Sequence, residues 1–199
     1  MMIRRFGLFT VIAALALTIG CASEEDTSSS TEAVAAEPDS ALQATVQREI
    51  ESLNAMRSDL AQTISTDESV DQATFARVCK PVGKRAKEMA AEHDWVVRQI
   101  AERYRNPAHQ LDDRARPIFE RFEQNPEVVR LWTRTERDGT EGWRYFRRIT
   151  VETSCLACHG AEADRPDFVK ANYPEDKAYG FEAGDLRGLY SVFVPDSVR

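Results

Sequence analysis

The 199-residue sequence has no excess of positive charge, no internal repeat and no apolar run of comfortable membrane-spanning length. It carries 26 Lys and Arg against 33 Asp and Glu, which gives a formal net charge of -7. An acidic chain without a basic cluster is not typical of nucleic-acid-binding proteins, so we expect no nucleic-acid partner. Its length and its 42% hydrophobic content suffice for one domain with a real core.

The first twenty residues have the pattern of an export signal. A short basic leader, residues 1–5, precedes an apolar run from Phe6 to Ile19 that is too short to cross a bilayer comfortably. The run ends at Gly20-Cys21, which resembles a bacterial lipoprotein cleavage box, although Thr18 stands where Leu is expected. We predict a signal peptide over residues 1–20 and a lipid on Cys21. The alternative is an ordinary signal peptide cut near the same place.

The segment after Cys21 predicts a tether rather than a core. Residues 27–38 are rich in Ser, Glu and Ala and bury little apolar surface, so residues 21–40 are expected to be flexible. Ala22 is no retention signal for a lipidated cysteine. We therefore expect the protein on the periplasmic side, anchored in the outer membrane through Cys21, with a single domain over residues 41–199.

Helical patterns occupy the first half of that domain. Apolar residues recur at three- and four-residue steps from Val46 to Ile64. A second such pattern runs from about Gln72 to Tyr104, and at 100° per residue it places Cys79, Met89 and His93 on one core-facing stripe. Pro81 lies inside it, and because proline lacks an N–H we expect a kink or a helix restart there.

Strand patterns occupy the second half. After a shorter predicted helix over residues 112–124, residues 128–136 and 142–153 are rich in β-branched and aromatic residues. Asp138-Gly139 between them is typical of a hairpin turn, and a last strand is predicted over residues 189–194. The order predicts an α+β fold, with N-terminal helices packed against an antiparallel sheet.

The pentapeptide CLACH at residues 155–159 matches the motif for covalent haem attachment. Two cysteines separated by two residues can reach both vinyl groups of one porphyrin as thioethers. The adjacent His159 can then supply a nitrogen to the iron. Such attachment occurs outside the cytoplasm, so the export signal and the motif support each other. We predict one covalently bound haem c, held by Cys155, Cys158 and His159.

Three alternatives to haem stay open for the same residues. A zinc site needs four ligands, and Cys155, Cys158, Cys79 and His93 are of the right type. A thioredoxin-like redox pair would also place a Cys-x-x-Cys after a strand. A disulfide between Cys155 and Cys158 is the simplest alternative.

Cys79 is the one cysteine of the four that these assignments leave over. An unpaired thiol is a liability in an oxidising compartment. Cys79 is either a small buried core residue or the sixth ligand of the iron. Met89, His93 and His109 compete for the ligand role, and an open sixth position is also possible.

Five short segments carry a resemblance to a known family. They are VCK at 78–80, RNPA at 105–108, CLACHG at 155–160, DKAYGF at 176–181 and GDLRG at 184–188. With them the sequence, over roughly residues 42–195, resembles the PAS-like c-type haem domains first described as a domain of unknown function. One member is a small cyanobacterial haem protein that accompanies photosystem II. The resemblance implies a PAS-like fold.

The resemblance also implies a ligand set. In that family the iron is held by the motif histidine and by a distant cysteine on an N-terminal helix, a position that Cys79 matches. His109 stands where the family often has asparagine. Arg105 and Arg187 lie in matching segments and are candidates for pairing with the haem propionates. Because a thiolate ligand stabilises ferric over ferrous iron, His/Cys ligation implies a low reduction potential.

Three classes of function follow. A redox or gas sensor exchanges the ligand Cys79, with a diatomic gas or a redox partner as the signal, and the PAS-like resemblance favours it. A one-electron carrier, the alternative, keeps both ligands in both oxidation states. An enzyme needs a catalytic constellation that the sequence does not show, so we do not expect enzymatic activity.

Overall fold

The computed structural model describes residues 37–64 and 69–198, so the predicted signal peptide and Cys21 lie outside the described residues. The described residues form five α-helices and four strands, in the order α1 (Ser40–Gln62), α2 (Gln72–His93), β1 (Val96–Ile100), α3 (Arg116–Gln124), β2 (Arg130–Arg137), β3 (Thr140–Thr150), α4 (Leu156–His159), α5 (Asp167–Asn172) and β4 (Leu186–Pro195). No helix of the described part is long and apolar enough to cross a membrane.

The first two helices begin at aspartate caps. The Asp39 carboxylate accepts a hydrogen bond from the backbone N–H of Ala41 at 2.7 Å, and the Asp71 carboxylate accepts one from Thr74 at 2.8 Å. Such bonds satisfy N–H groups that have no partner within the first turn. α2 runs through Pro81 as one helix, so no restart occurs there.

The prediction that the second helix continues to Tyr104 is wrong. α2 ends at His93, and Asp94 follows in the left-handed conformation with φ 54°. Residues 96–100 then form β1, which pairs with β4 in a register that sets Val96 opposite Phe193. β-branched residues fit a strand better than a helix, and pairing with β4 overrides the helical spacing of the apolar residues.

The four strands form one antiparallel sheet in the order β1-β4-β3-β2. Asp138 and Gly139 join β2 to β3 with φ values of 51° and 77°. Two central residues with positive φ define the turn type that matches strand twist, so the predicted hairpin is confirmed. The predicted α+β class, with helices against an antiparallel sheet, is confirmed as well.

The third helix is shorter than expected. It begins at Arg116 rather than at Asp112, because Asp112 belongs to the preceding turn, where its carboxylate accepts a hydrogen bond from the N–H of Ala115 at 2.9 Å. α3 packs on one face of the sheet around Ile100, Phe146 and Leu189. α1 and α2 pack on the other, in a core that contains Val46, Ile50, Leu53, Val82, Met89, Tyr145, Tyr190 and Val192.

Candidate functional site

A cavity lies beside the sheet and is bordered by α1, α2 and the CLACH segment. It contains about 910 Å³ of space free of protein atoms, counting the solvent at its mouth. Its apolar walls include Val78, Val82, Ile100, Tyr104 and Ile149. Apolar walls with a few polar side chains at fixed positions are typical of a pocket for a small molecule or a cofactor.

All four predicted site residues line this cavity. Cys79 comes from α2, Cys155 ends the short turn Thr153–Cys155, and Cys158 and His159 lie on the single turn α4. Residues three apart in a helical turn share one face, so the two motif cysteines project to the same side. The turn stops at Gly160, where a Cβ atom would lie 2.7 Å from the carbonyl oxygen of Leu156.

The imidazole of His159 is held in one tautomer. Its Nδ1–H donates a hydrogen bond to the carbonyl oxygen of Ala178 at 2.7 Å, which leaves the lone pair of Nε2 available as a ligand. Burial, and secondly the positive charges of Arg187 and Arg105, hold the pKa of His159 well below its usual range. The ring is therefore neutral at neutral pH, the form that binds a metal ion.

Cys79 lies on α2 and has no hydrogen bond like the one that orients the His159 ring. The Cys79 side chain is accessible to solvent, but the surface it presents lines the cavity, whose walls withdraw the thiol from bulk water. Desolvation by the surrounding atoms raises the pKa of this thiol to about 11, with a smaller contribution from Cys158. No hydrogen bond joins the Cys79 side chain to another of the described residues. The structure thus presents a soft sulfur at the cavity, and within the described residues no hydrogen bond fixes its orientation.

The three competitors for the sixth-ligand role lie in different places. Met89 is fully buried in the helix–sheet core, and His93 stacks on Trp95 with ring centroids 4.2 Å apart. Neither lines the cavity. His109 does line it, and burial followed by the charges of Arg98 and Arg187 lowers its pKa.

The two candidate arginines differ in their partners. Arg105 is 8% exposed and does not line the cavity; its guanidinium bonds to Asp176 at 3.4 Å and to the Cys158 carbonyl at 2.8 Å. Arg187 lines the cavity, donates to the Arg103 carbonyl at 3.0 Å and has no carboxylate partner among the described residues. Burial, and secondly Arg105, lowers the pKa of Arg187 to about 10. Of the two, Arg187 is placed to meet an anionic group in the cavity.

Sequence reasoning missed Arg57. Its guanidinium donates to Glu152 at 2.7 Å and lies 3.7 Å from the Sγ atom of Cys155. The spacing held the information, because Arg57 follows Leu53 by four residues and so lies on the inward stripe of α1. An arginine on an otherwise apolar stripe indicates a buried ion pair or a cavity.

The alternatives to haem find less support in the geometry. Within residues 37–64 and 69–198, no group of three or more His, Cys, Asp or Glu side chains is placed to hold a metal ion, so the zinc ligands proposed from sequence do not converge. Cys155 and Cys158 are both free thiols in the structure. The soft sulfurs, the neutral imidazole and the apolar walls instead fit a haem.

An α+β domain whose CLACH segment borders an apolar cavity has the architecture expected of a haem-binding domain. The family described as Tll0287-like matches residues 35–195, and the chain belongs to that family, which confirms the resemblance. A solved structure described as the cyanobacterial heme-protein Tll0287 is 43% identical and superimposes with a TM-score of 0.71, covering 82% of this chain and 99% of that chain. A search of curated proteins found no match to this sequence.

Proposed function

We propose that the protein carries one haem c, attached through thioethers to Cys155 and Cys158, with His159 and Cys79 as its axial ligands. One observation carries the proposal: a single apolar cavity brings together three thiols and a neutral imidazole that is aligned through Nδ1. The 43% identity to a heme-protein supports it. Haem supplies one-electron chemistry and affinity for diatomic gases.

The proposal extends to where the protein works. Covalent haem attachment requires export, and the basic leader, the apolar run to Ile19 and Cys21 have the pattern of a lipoprotein signal. We therefore propose a lipid-anchored protein on the periplasmic side, in the outer membrane. Labelling with radioactive palmitate tests this, since Cys21→Ala is expected to abolish lipid incorporation and to release the protein from the membrane fraction.

Within this proposal the protein is a redox or gas sensor rather than an enzyme. A thiolate at Cys79 favours the ferric state and gives a low reduction potential. Burial raises the pKa of this thiol to about 11, so Sγ takes a proton from solvent once it is no longer coordinated. Reduction of a bound haem by an external one-electron donor would then be coupled to protonation of Cys79. Release of Cys79 would remove the link between the iron and α2, and a local shift of this helix would be the signal.

Binding of carbon monoxide to the reduced protein tests sensing against simple electron transfer. The full chain, matured with the haem-attachment machinery, is reduced and mixed with carbon monoxide. A sensor binds the gas at one per haem, and Cys79→Ala binds it faster because no thiol has to leave. Lys84→Gln is the control, since Lys84 is an exposed residue of the same helix that does not line the cavity, and it should leave the rate unchanged. A reduced protein that keeps both ligands and excludes the gas is instead an electron carrier.

A further inference from the structure

We propose that Asp176 is the positioning residue for the His159 imidazole. The inference rests on the proposed role of His159 as an iron ligand and goes beyond it, because it assigns the orientation and donor strength of that ligand to a carboxylate outside the motif. Asp176 does not line the cavity and would not touch the haem. It acts on His159 through the chain segment that begins at Asp176 itself.

The first link is a short turn. One carboxylate oxygen of Asp176 accepts the backbone N–H of Ala178 at 3.0 Å, a side-chain-to-backbone turn two residues long. The carbonyl oxygen of Ala178 is the acceptor for His159 Nδ1–H at 2.7 Å. The carboxylate therefore fixes the peptide whose oxygen fixes the imidazole.

The second link runs through the motif backbone. The same Oδ1 atom of Asp176 pairs with Arg105 Nε at 3.4 Å, and Arg105 Nη2 donates to the carbonyl of Cys158 at 2.8 Å. Oδ2 pairs with Arg165 at 3.5 Å. The Asp176 side chain has no solvent exposure, and the Arg105 side chain is 9% exposed. One buried carboxylate thus holds both the residue before His159 and the acceptor of its ring proton.

The backbone of the segment that follows Asp176 also bonds directly to the motif. The N–H groups of Gly180 and Phe181 donate to the carbonyls of Gly160 and His159 at 2.6 and 3.1 Å. Phe181 also meets the His159 ring edge-on, with centroids 6.2 Å apart. His159 therefore has little freedom to rotate as long as Asp176 holds the start of the segment.

This arrangement has a chemical consequence. A hydrogen bond from Nδ1–H to a carbonyl raises the donor strength of Nε2 and fixes the plane of the ring. Stronger donation stabilises ferric iron more than ferrous iron, so the reduction potential falls. Loosening the turn at Asp176 should raise the potential and let the ring plane rotate.

Two substitutions in the full, haem-loaded chain separate positioning from charge. Asp176→Glu keeps the charge but lengthens the side chain, so it loses the two-residue turn to Ala178. Asp176→Asn keeps the size but removes the charge that Arg105 and Arg165 share. Each variant is measured by spectroelectrochemistry and by the hyperfine-shifted haem-methyl resonances of the ferric protein, whose pattern depends on the orientation of the axial imidazole. Glu162→Gln is the control, because it removes an exposed partner of Arg165 and leaves Asp176 in place.

The proposal predicts that Asp176→Glu lowers the oxidised-to-reduced ratio at fixed potential about tenfold, which is about 59 mV for one electron, and changes the methyl pattern. Glu162→Gln should keep both. A parent-like potential and pattern in Asp176→Glu overturns the proposal and leaves Asp176 only a charge partner. Asp176→Asn, whose amide oxygen can still accept the Ala178 N–H, should keep the methyl pattern. If Asp176→Glu does not fold, Asp176→Ala decides, because alanine has no acceptor for that N–H, and an unchanged pattern there overturns the proposal equally. A ferric spectrum indifferent to His159→Ala would instead contradict the proposed function.

Discussion

The two sides of the cavity are built in opposite ways. On the motif side, His159 donates to Ala178, and a buried pair between Arg105 and Asp176 braces the neighbouring backbone. On the helix side, Cys79 lies on α2 with no hydrogen bond from its side chain to any described residue. A ligand that is fixed by several contacts keeps its place when its partner changes, whereas a ligand fixed only by its helix can leave.

The difference suggests how a fixed and an exchangeable ligand can share one haem. The motif side has the fixed tautomer and hydrogen-bonded support found at permanent ligands. Cys79 has a pKa raised to about 11 by burial, so its neutral thiol is favoured when it is not bound. A sensor needs this asymmetry, since two equally fixed ligands would make a carrier.

The largest expected effect is the loss of covalently bound haem when the two thiols of the motif side, Cys155 and Cys158, are removed. We expect the double variant Cys155→Ser, Cys158→Ser to carry no haem that survives denaturation, because no thioether can form. Covalently bound haem is detected by haem staining of a denaturing gel and by the mass of the intact protein. Cys79→Ser is the matched control on the helix side and should keep its covalent haem. Haem that stays on the double variant through denaturation would refute the attachment.

The bracing of the motif side can be removed without touching a ligand. Arg105→Gln leaves the buried Asp176 carboxylate with Arg165 as its remaining ion-pair partner. Losing one partner of an isolated buried pair costs about 3–5 kcal/mol, so with Arg165 still in place we expect the free energy of unfolding to fall by about 2–3 kcal/mol, measured by urea titration of the haem-free protein. Arg103→Gln, at a partly exposed neighbour, is the comparison. Equal free energies of unfolding for the two variants would show that the buried pair between Arg105 and Asp176 does not stabilise the motif side.

The helix side can be probed through the reactivity of Cys79. Only the thiolate reacts with iodoacetamide, and its fraction falls about tenfold for each pKa unit. With a pKa near 11 instead of the usual 9.0, Cys79 in the folded, haem-free protein should react about 10- to 100-fold more slowly at pH 8 than in urea, because the higher nucleophilicity of its thiolate offsets part of the smaller thiolate fraction. Its rate should keep rising with pH up to about 11. Peptide mass mapping isolates Cys79 from the other cysteines, and a rate that levels off near pH 9 would contradict the burial.

Arg187 gives the smallest expected effect. Arg187 donates to the Arg103 carbonyl but makes no salt bridge to a carboxylate in the described chain. Because removal of a buried positive charge offsets the loss of that hydrogen bond, Arg187→Gln should change the stability of the haem-free protein by less than about 1 kcal/mol. In the haem-loaded protein the loss should be larger, because an anionic haem propionate then loses its partner. Parallel urea titrations of the two forms measure the difference. The same small change in stability in both forms would show that Arg187 does not pair with a haem propionate.

The sequence was sufficient where the relevant signal is local. The apolar spacing of α1, the Asp138-Gly139 turn and the CLACH motif each depend on neighbouring residues, and the structure contains all three. Cys79 was singled out by elimination and by family resemblance, and it does line the cavity with the motif. The α+β class followed from the order of helical and strand patterns.

What the sequence could not supply depends on distant partners. β1 has helical spacing of apolar residues, and only its pairing with β4 makes it a strand. The roles of Arg105 and Arg187 could not be separated, because Asp176, the partner of Arg105, lies 71 residues further along the chain. Arg57 meets Cys155 across 98 residues. The spacing of α1 places Arg57 on the inward stripe, but the local sequence around these arginines does not identify their distant partners.

The most direct test of the central claim is the optical and electron paramagnetic resonance spectrum of the ferric protein, compared with that of Cys79→Ala. Both proteins are matured with the haem-attachment machinery and measured at neutral pH. We predict a low-spin ferric thiolate spectrum that is lost in the variant, while the covalent haem stays. An identical spectrum in the two proteins would show that Cys79 is not a ligand, and it would contradict the account of a fixed and an exchangeable side.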